Sequence, residues 1–234
     1  AQGVNAIIGA ASSGVSLTVI DKITTNGVVQ FSPANTAPNL TTYEDNGLYF
    51  RNAPSDVLQG AVLAGKAIDA GIANMATIAR QDPYGEGLAA AVVKDFTAAG
   101  GNITSALLYD PAAPSFEAEV AEIVAGAPEA VVVVGFDEST KLIQEMIKQG
   151  AGPDKIQLYL VDGNASTTAF AEFPAGTMAG TVATFPSGSV DVQTFNDRML
   201  AFDPSLTDFL YGPQSFDATM LIALAAQQAG CADG

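Results

Sequence analysis

Residues 129–139 read Glu-Ala-Val-Val-Val-Val-Gly-Phe-Asp-Glu-Ser, and the five residues Ala130 to Val134 decide the fold class. A β-branched run with no polar alternation is a strand buried on both faces, the form strands take in parallel sheets. Working outward, apolar strand-length runs alternate with amphipathic stretches. Before it, Ile103–Tyr109 reads as a strand and Phe116–Ala125 as a helix. After it, Lys141–Gln149 reads as a helix closed by Gly150, and Ile156–Val161 as a strand. Towards the N-terminus come strands at 5–9, 28–31, 48–50 and 74–79. Helices are expected at 15–25, 55–70 (Ser55 or Asp56 near the cap) and 84–99, the last ending at Gly100-Gly101. Towards the C-terminus, 181–184 reads as a strand, and 196–201 and 216–229 as helices. This is βαβ spacing, so the class is α/β with mostly parallel sheets flanked by helices.

Composition narrows the function. The chain has 234 residues, enough for one or two domains, and 48% are hydrophobic, which excludes a disordered chain. No apolar run reaches the roughly 20 residues of a membrane span. Ala1–Asn5 lacks the basic start and small-residue cleavage site of a signal peptide, so an export signal is expected outside this chain. A net charge of −16 with no basic stripe argues against nucleic acid and anionic membranes as partners, and otherwise serves solubility. Histidine is absent, which removes Ser-His-Asp and Cys-His catalysis and all His-ligated metal sites. No cofactor is implied. Cys231 is the single cysteine, either an inert thiol or the partner of a cysteine elsewhere.

In parallel sheets, ligands bind at the carboxyl ends of strands, which directs attention to five loops. Gly9–Gly14 (GAASSG) joins a strand to a helix. It is either an anion site of backbone N–H groups and the hydroxyls of Ser12 and Ser13, or an ordinary serine N-cap. A P-loop would need Gly-Lys-Ser/Thr, and Gly14 is followed by Val15. A short-chain dehydrogenase would need glycine where Ser16 stands and a Tyr-x-x-x-Lys pair, and none of the six tyrosines has a lysine four residues on. Ser32–Thr41 (SPANTAPNLT) is a polar loop fixed by Pro33 and Pro38. Its backbone N–H groups and the Thr36 hydroxyl suit a carboxylate, or else the loop is only a capped surface turn. Tyr84 and Phe136, at βα junctions, either line an apolar pocket or cover the sheet. Asp162 precedes Gly163, and is either the acceptor of a ligand ammonium or a turn residue.

Taken together, GAASSG, SPANTAPNLT, YFRNAPSD, QG, DPYGEG, VVVVGF and YLVDG resemble the periplasmic substrate-binding proteins of branched-chain amino acid transporters. The resemblance runs from Gly9 to about Asp217. It implies a two-lobed type I periplasmic-binding fold. Residues 1–53 and 185–234 would form a partial lobe one and residues 54–184 lobe two, joined by a hinge. It also implies that the first strand–helix units and the C-terminal end of the fold are lacking. The resemblance places Ser13, Ala34 and Thr36 at the ligand carboxylate and amino acid head, Tyr84 over the ligand, Phe136 at an aromatic position that is often tyrosine, and Asp162 where a glutamate commonly takes the ammonium. The resemblance implies a small branched-chain or aliphatic amino acid as ligand; because Phe136 lacks a phenolic hydroxyl and Asp162 is one methylene short, another small carboxylate or an amide is the alternative. The implied partner is the membrane permease of an ABC importer. The implied state is a monomer, periplasmic or extracellular, with a lipid anchor as one form. A sensor of the same fold is the alternative. An enzyme would have to use a carboxylate or lysine as its base.

Overall fold

The computed structural model describes residues 3–185 and 192–232. Two compact units emerge, Ala1–Ser55 with Pro186–Gly234, and Asp56–Phe185.

The second unit is built on a five-stranded parallel sheet. Its strands are β4 (Asn74–Arg80), β5 (Asn102–Tyr109), β6 (Ala130–Val134), β7 (Gln157–Leu160) and β8 (Val182–Ala183), in the order β5-β4-β6-β7-β8. All five residues of β6 are buried. The pleat divides them: Ala130, Val132 and Val134 join one core layer, Val131 and Val133 the other. The first layer is closed by α2 (Asp56–Asp69) and α3 (Pro83–Ala98) through Leu63, Ala67, Leu88, Val92 and Phe96. The second is closed by α4 (Glu117–Ala125) and α5 (Ser139–Lys148) through Val120, Ile123, Leu142, Ile143 and Met146. Each fully buried valine contributes roughly 1.5–3 kcal/mol of transfer free energy, so a two-sided strand is stable only between two such layers. Helices α2 and α3 approach closely at Gly60, where a Cβ would stand 2.5 Å from that of Ala91.

The first unit carries a three-stranded parallel sheet of β1 (Ala6–Ile8), β2 (Val29–Ser32) and β3 (Tyr49–Arg51), in sequential order. Helix α1 (Ser13–Thr24) buries Ser13, Ser16, Ile20 and Thr24, a stripe at helical spacing. Ile20 packs with Ala37, Leu40 and Tyr49. Helix α8 (Gly212–Ala229) lies against β1 and β2. Between it and the sheet is an apolar cavity of about 630 Å³ lined by Val29, Phe31, Leu221, Ala225 and Ala229. Cys231, also in its lining, is an exposed free thiol.

The boundaries sharpen the sequence reading. Pro38–Thr42, read as loop, is a short 3-10 helix with proline in its first turn. A four-residue helix α6 (Thr167–Phe170) follows β7 and was not expected; Ser166 caps it by accepting the Ala169 N–H. The helix expected at 196–201 extends over α7 (Val192–Phe202). Helix α3 starts earlier than Tyr84, because Asp82 caps it by accepting the Gly85 N–H at 2.9 Å and Pro83 fits the first helical position. No described helix is long and apolar enough to cross a membrane.

Candidate functional site

In the first unit the candidate residues lie where β1 and β2 end. Ser13 opens α1 beyond β1, and the loop after β2 carries Ala34 and Thr36. Ser32 Oγ accepts the N–H groups of Ala34 (3.2 Å) and Asn35 (3.0 Å), and donates to the Ala10 carbonyl at 2.7 Å. Ser13 Oγ accepts the N–H groups of Thr36 and Ala37, both at 3.2 Å. The Ala10 N–H donates to Ser16 Oγ and the Gly9 N–H to the Phe31 carbonyl. These backbone donors, which the sequence reading offered to a ligand anion, are therefore engaged within the unit. Ser12, although the N-cap residue, makes no side-chain capping bond.

What the loops leave open are hydroxyl groups. Ser13 is 2% exposed and its oxygen accepts two N–H groups, so its own proton remains to be donated. Thr36 is 2% exposed, and its Oγ1 is buried with no hydrogen-bond partner among the described residues. Leaving a buried hydroxyl unpaired costs about 1–3 kcal/mol, so the position calls for a partner from outside. The two loops are held by Asn35. Its Nδ2 donates to the carbonyls of Ala10 (3.1 Å) and Ala11 (2.8 Å), and its Oδ1 accepts from Tyr49 Oη at 2.9 Å. Burial keeps that tyrosine protonated, far above the usual phenol range. Arg51 donates to the Ala37 carbonyl at 2.8 Å and tightens the same loop.

In the second unit Tyr84, Phe136 and Asp162 follow β4, β6 and β7. The order β5-β4-β6 places the reversal of chain progression between β4 and β6, and in open parallel sheets ligands bind beyond the strand ends at that switch point. The Tyr84 and Phe136 rings stack there, with centroids 5.3 Å apart and planes 7° off parallel. Tyr84 Oη donates to Asp162 Oδ1 at 2.8 Å and accepts the Gly163 N–H at 3.2 Å. Glycine is required at 163, since a Cβ would collide with the Gly135 carbonyl and stand 2.8 Å from Tyr84 Oη. Asp162 is 3% exposed, and Tyr84 Oη is among the groups that meet its carboxyl group.

Two residues complete this cluster: Gln59, quoted in the sequence only as part of the Gln-Gly motif and given no role there, and Asn164, which the sequence did not single out. Gln59, on the first turns of α2, donates from Nε2 to Asp162 Oδ1 at 3.0 Å and to Thr184 Oγ1 at 2.9 Å. Asn164 donates to the Val133 carbonyl at 3.0 Å and accepts the Val161 N–H at 2.9 Å, locking the β7 turn to β6. Behind Phe136, the Arg80 guanidinium lies 4.0 Å from its ring centroid and pairs with Asp82 and Glu138, each at 2.7 Å. Glu138 also accepts from Tyr109 Oη at 2.9 Å. Burial first, and this carboxylate second, push the Tyr109 phenol far above its usual range. No group of three or more metal-ligating side chains occurs among the described residues.

The family model described as periplasmic binding protein matches residues 1–234. Leu/Ile/Val-binding protein homolog 1 of Brucella abortus is 30% identical, over 100% of this chain and 62% of its own length. A leucine binding protein, LivK, of Thermotoga maritima superposes with a TM-score of 0.85 at 22% identity, covering 98% of this chain and 65% of that one. An ABC transporter substrate-binding protein of Desulfitobacterium hafniense, solved in complex with Leu, gives a TM-score of 0.74 at 24% identity, over 97% of this chain and 65% of that one. The chain belongs to the periplasmic binding protein family. It spans less than two thirds of the length of each of these relatives.

Proposed function

We infer that the protein is an extracytoplasmic solute-binding protein rather than an enzyme, and that it takes up a small aliphatic amino acid for an ABC importer. The observation that carries the reading is the chemistry of the two half-sites. The first unit offers the Thr36 hydroxyl, which has no partner among the described residues, and the Ser13 hydroxyl, whose oxygen already accepts two N–H groups, beside the Ala34 loop, which suits a carboxylate. The second offers a buried carboxylate, Asp162, beside the stacked Tyr84 and Phe136, which suits an ammonium next to an apolar side chain. A zwitterion satisfies both. In this reading residues 1–53 with 185–234 and residues 54–184 act as two lobes, and the ligand stabilises their closed arrangement by binding it better than the open one. Burying a leucine-sized side chain adds roughly 2 kcal/mol. The Leu/Ile/Val-binding relative and the leucine-bound neighbour support a branched-chain ligand, and the family supports a periplasmic or extracellular location.

The test is L-leucine binding to the intact protein and to Asp162→Ala and Thr36→Ala. Both substitutions are expected to weaken it at least tenfold, by loss of a hydrogen bond to a charged group. Unchanged affinity in Asp162→Ala would remove the ammonium role.

A further inference from the structure

The geometry points to Gln59 as a positioning residue that sets how well the site recognises an amine. The inference rests on the assignment of Asp162 to a ligand ammonium, and extends it to a residue on a different element. Gln59 is half-buried on α2, and its amide lies between two oxygens: Asp162 Oδ1 at 3.0 Å, beyond β7, and Thr184 Oγ1 at 2.9 Å, just past β8. The amide nitrogen, not the carbonyl, faces Asp162, with the carboxyl oxygen as acceptor. Its second N–H is fixed on Thr184, which leaves the amide no freedom to turn its carbonyl inward.

The consequence falls on Asp162. Its Oδ1 receives two donors, Gln59 Nε2 and Tyr84 Oη, and Tyr84 is itself held by the Gly163 N–H. Two donors arriving from α2 and α3 converge on one oxygen of a carboxyl group only 3% exposed and restrict its rotation. Gln59 adds to the Tyr84 bond a second donor from a different helix, and so helps to set the orientation in which the carboxylate would meet an ammonium. Aspartate, with one fewer rotatable bond than glutamate, is short enough to be clamped in this way from a neighbouring helix. Gln59 therefore acts on the amine end of a ligand and not on its carboxylate or side chain.

A double-mutant cycle with L-leucine on the intact protein tests this by titration calorimetry. Gln59→Met keeps the side-chain length and removes both donated bonds. It is expected to weaken leucine about tenfold alone, and to change affinity by no more than about twofold in an Asp162→Asn background. Gln59→Glu, of equal size, places a second carboxylate against the first and is expected to bind leucine more weakly than Gln59→Met. Equal losses for Gln59→Met in both backgrounds would overturn the inference, because Gln59 would then act independently of Asp162. So would wild-type affinity in either single variant. If Asp162→Asn alone leaves leucine binding intact, the ammonium assignment itself fails and Gln59 loses its role with it. If Asp162→Asn weakens binding and the Gln59 variants do not, the assignment stands and only the positioning role is lost.

Discussion

Replacing Thr36 with valine should move stability and affinity in opposite directions. The Thr36 hydroxyl is buried, in a residue only 2% exposed, and has no partner among the described residues. Such a group costs the unliganded protein about 1–3 kcal/mol relative to a paired one. Valine replaces the hydroxyl with a methyl of similar size and removes that cost. The ligand-free protein should therefore melt at an unchanged or higher temperature, by about 2–4 °C for each kcal/mol recovered in a chain of this size. The ligand complex should suffer. A hydroxyl bonded to a carboxylate is worth about 1.5–3 kcal/mol, so leucine affinity should fall roughly ten- to hundredfold. Calorimetric melting with and without L-leucine, together with titration, reads both effects on one preparation. A lower melting temperature without ligand, combined with unchanged leucine affinity, would refute the reasoning, since it would mean that the hydroxyl is bonded inside the unit and faces no ligand.

The remaining predictions use the same contacts. Ser13→Ala strands the N–H groups of Thr36 and Ala37 and should cost about 1–3 kcal/mol in denaturant unfolding as well as weakening leucine, unlike Thr36→Val. Gly163→Ala drives a methyl group into the Gly135 carbonyl and against Tyr84 Oη, so leucine binding should be lost while far-UV circular dichroism retains the α/β signal. Leu142→Ala empties part of the core beneath β6 and should lower stability by about 2–5 kcal/mol, with leucine affinity unchanged at temperatures where the protein stays folded. Glu129 accepts the N–H groups of Ala73 and Asn74, which hold its carboxyl below the usual range. A depressed folded-state value means stability present above the unfolded-state value and lost as pH falls through the folded one, so Glu129→Gln should flatten the acid limb of the melting curve.

Much of the architecture can be read from β6. A five-residue apolar run with four consecutive valines needs cover on both faces, and the structure supplies α2 and α3 on one side, α4 and α5 on the other. Which valine faces which layer is not legible, because a uniform run carries no alternation. The loops after strands are legible for the reason that made them worth reading: parallel sheets gather loops at one end. Their internal wiring is not. SPANTAPNLT looks rich in free backbone donors, yet Ser32 and Ser13 absorb the N–H groups of Ala34, Asn35, Thr36 and Ala37, a pairing visible only once the loops after β1 and β2 meet. Gln59 stands in the quoted Gln-Gly motif, yet nothing local gives it a role. It reaches Asp162 across 103 residues of sequence, and on α2 it looks like any half-exposed polar helix residue. Asp82 could have been found locally, since Asp-Pro before an apolar helix is a capping signal.

The most direct test of the central claim is calorimetric titration of the intact protein, unfolded and refolded to strip any copurified ligand, with L-leucine, L-isoleucine, L-valine and their des-amino carboxylates. The account predicts saturable one-to-one binding of at least one of the three amino acids, tighter than that of the carboxylate lacking its ammonium. Binding of the des-amino carboxylate as tight as that of the amino acid, or no binding of any of the three, would contradict it.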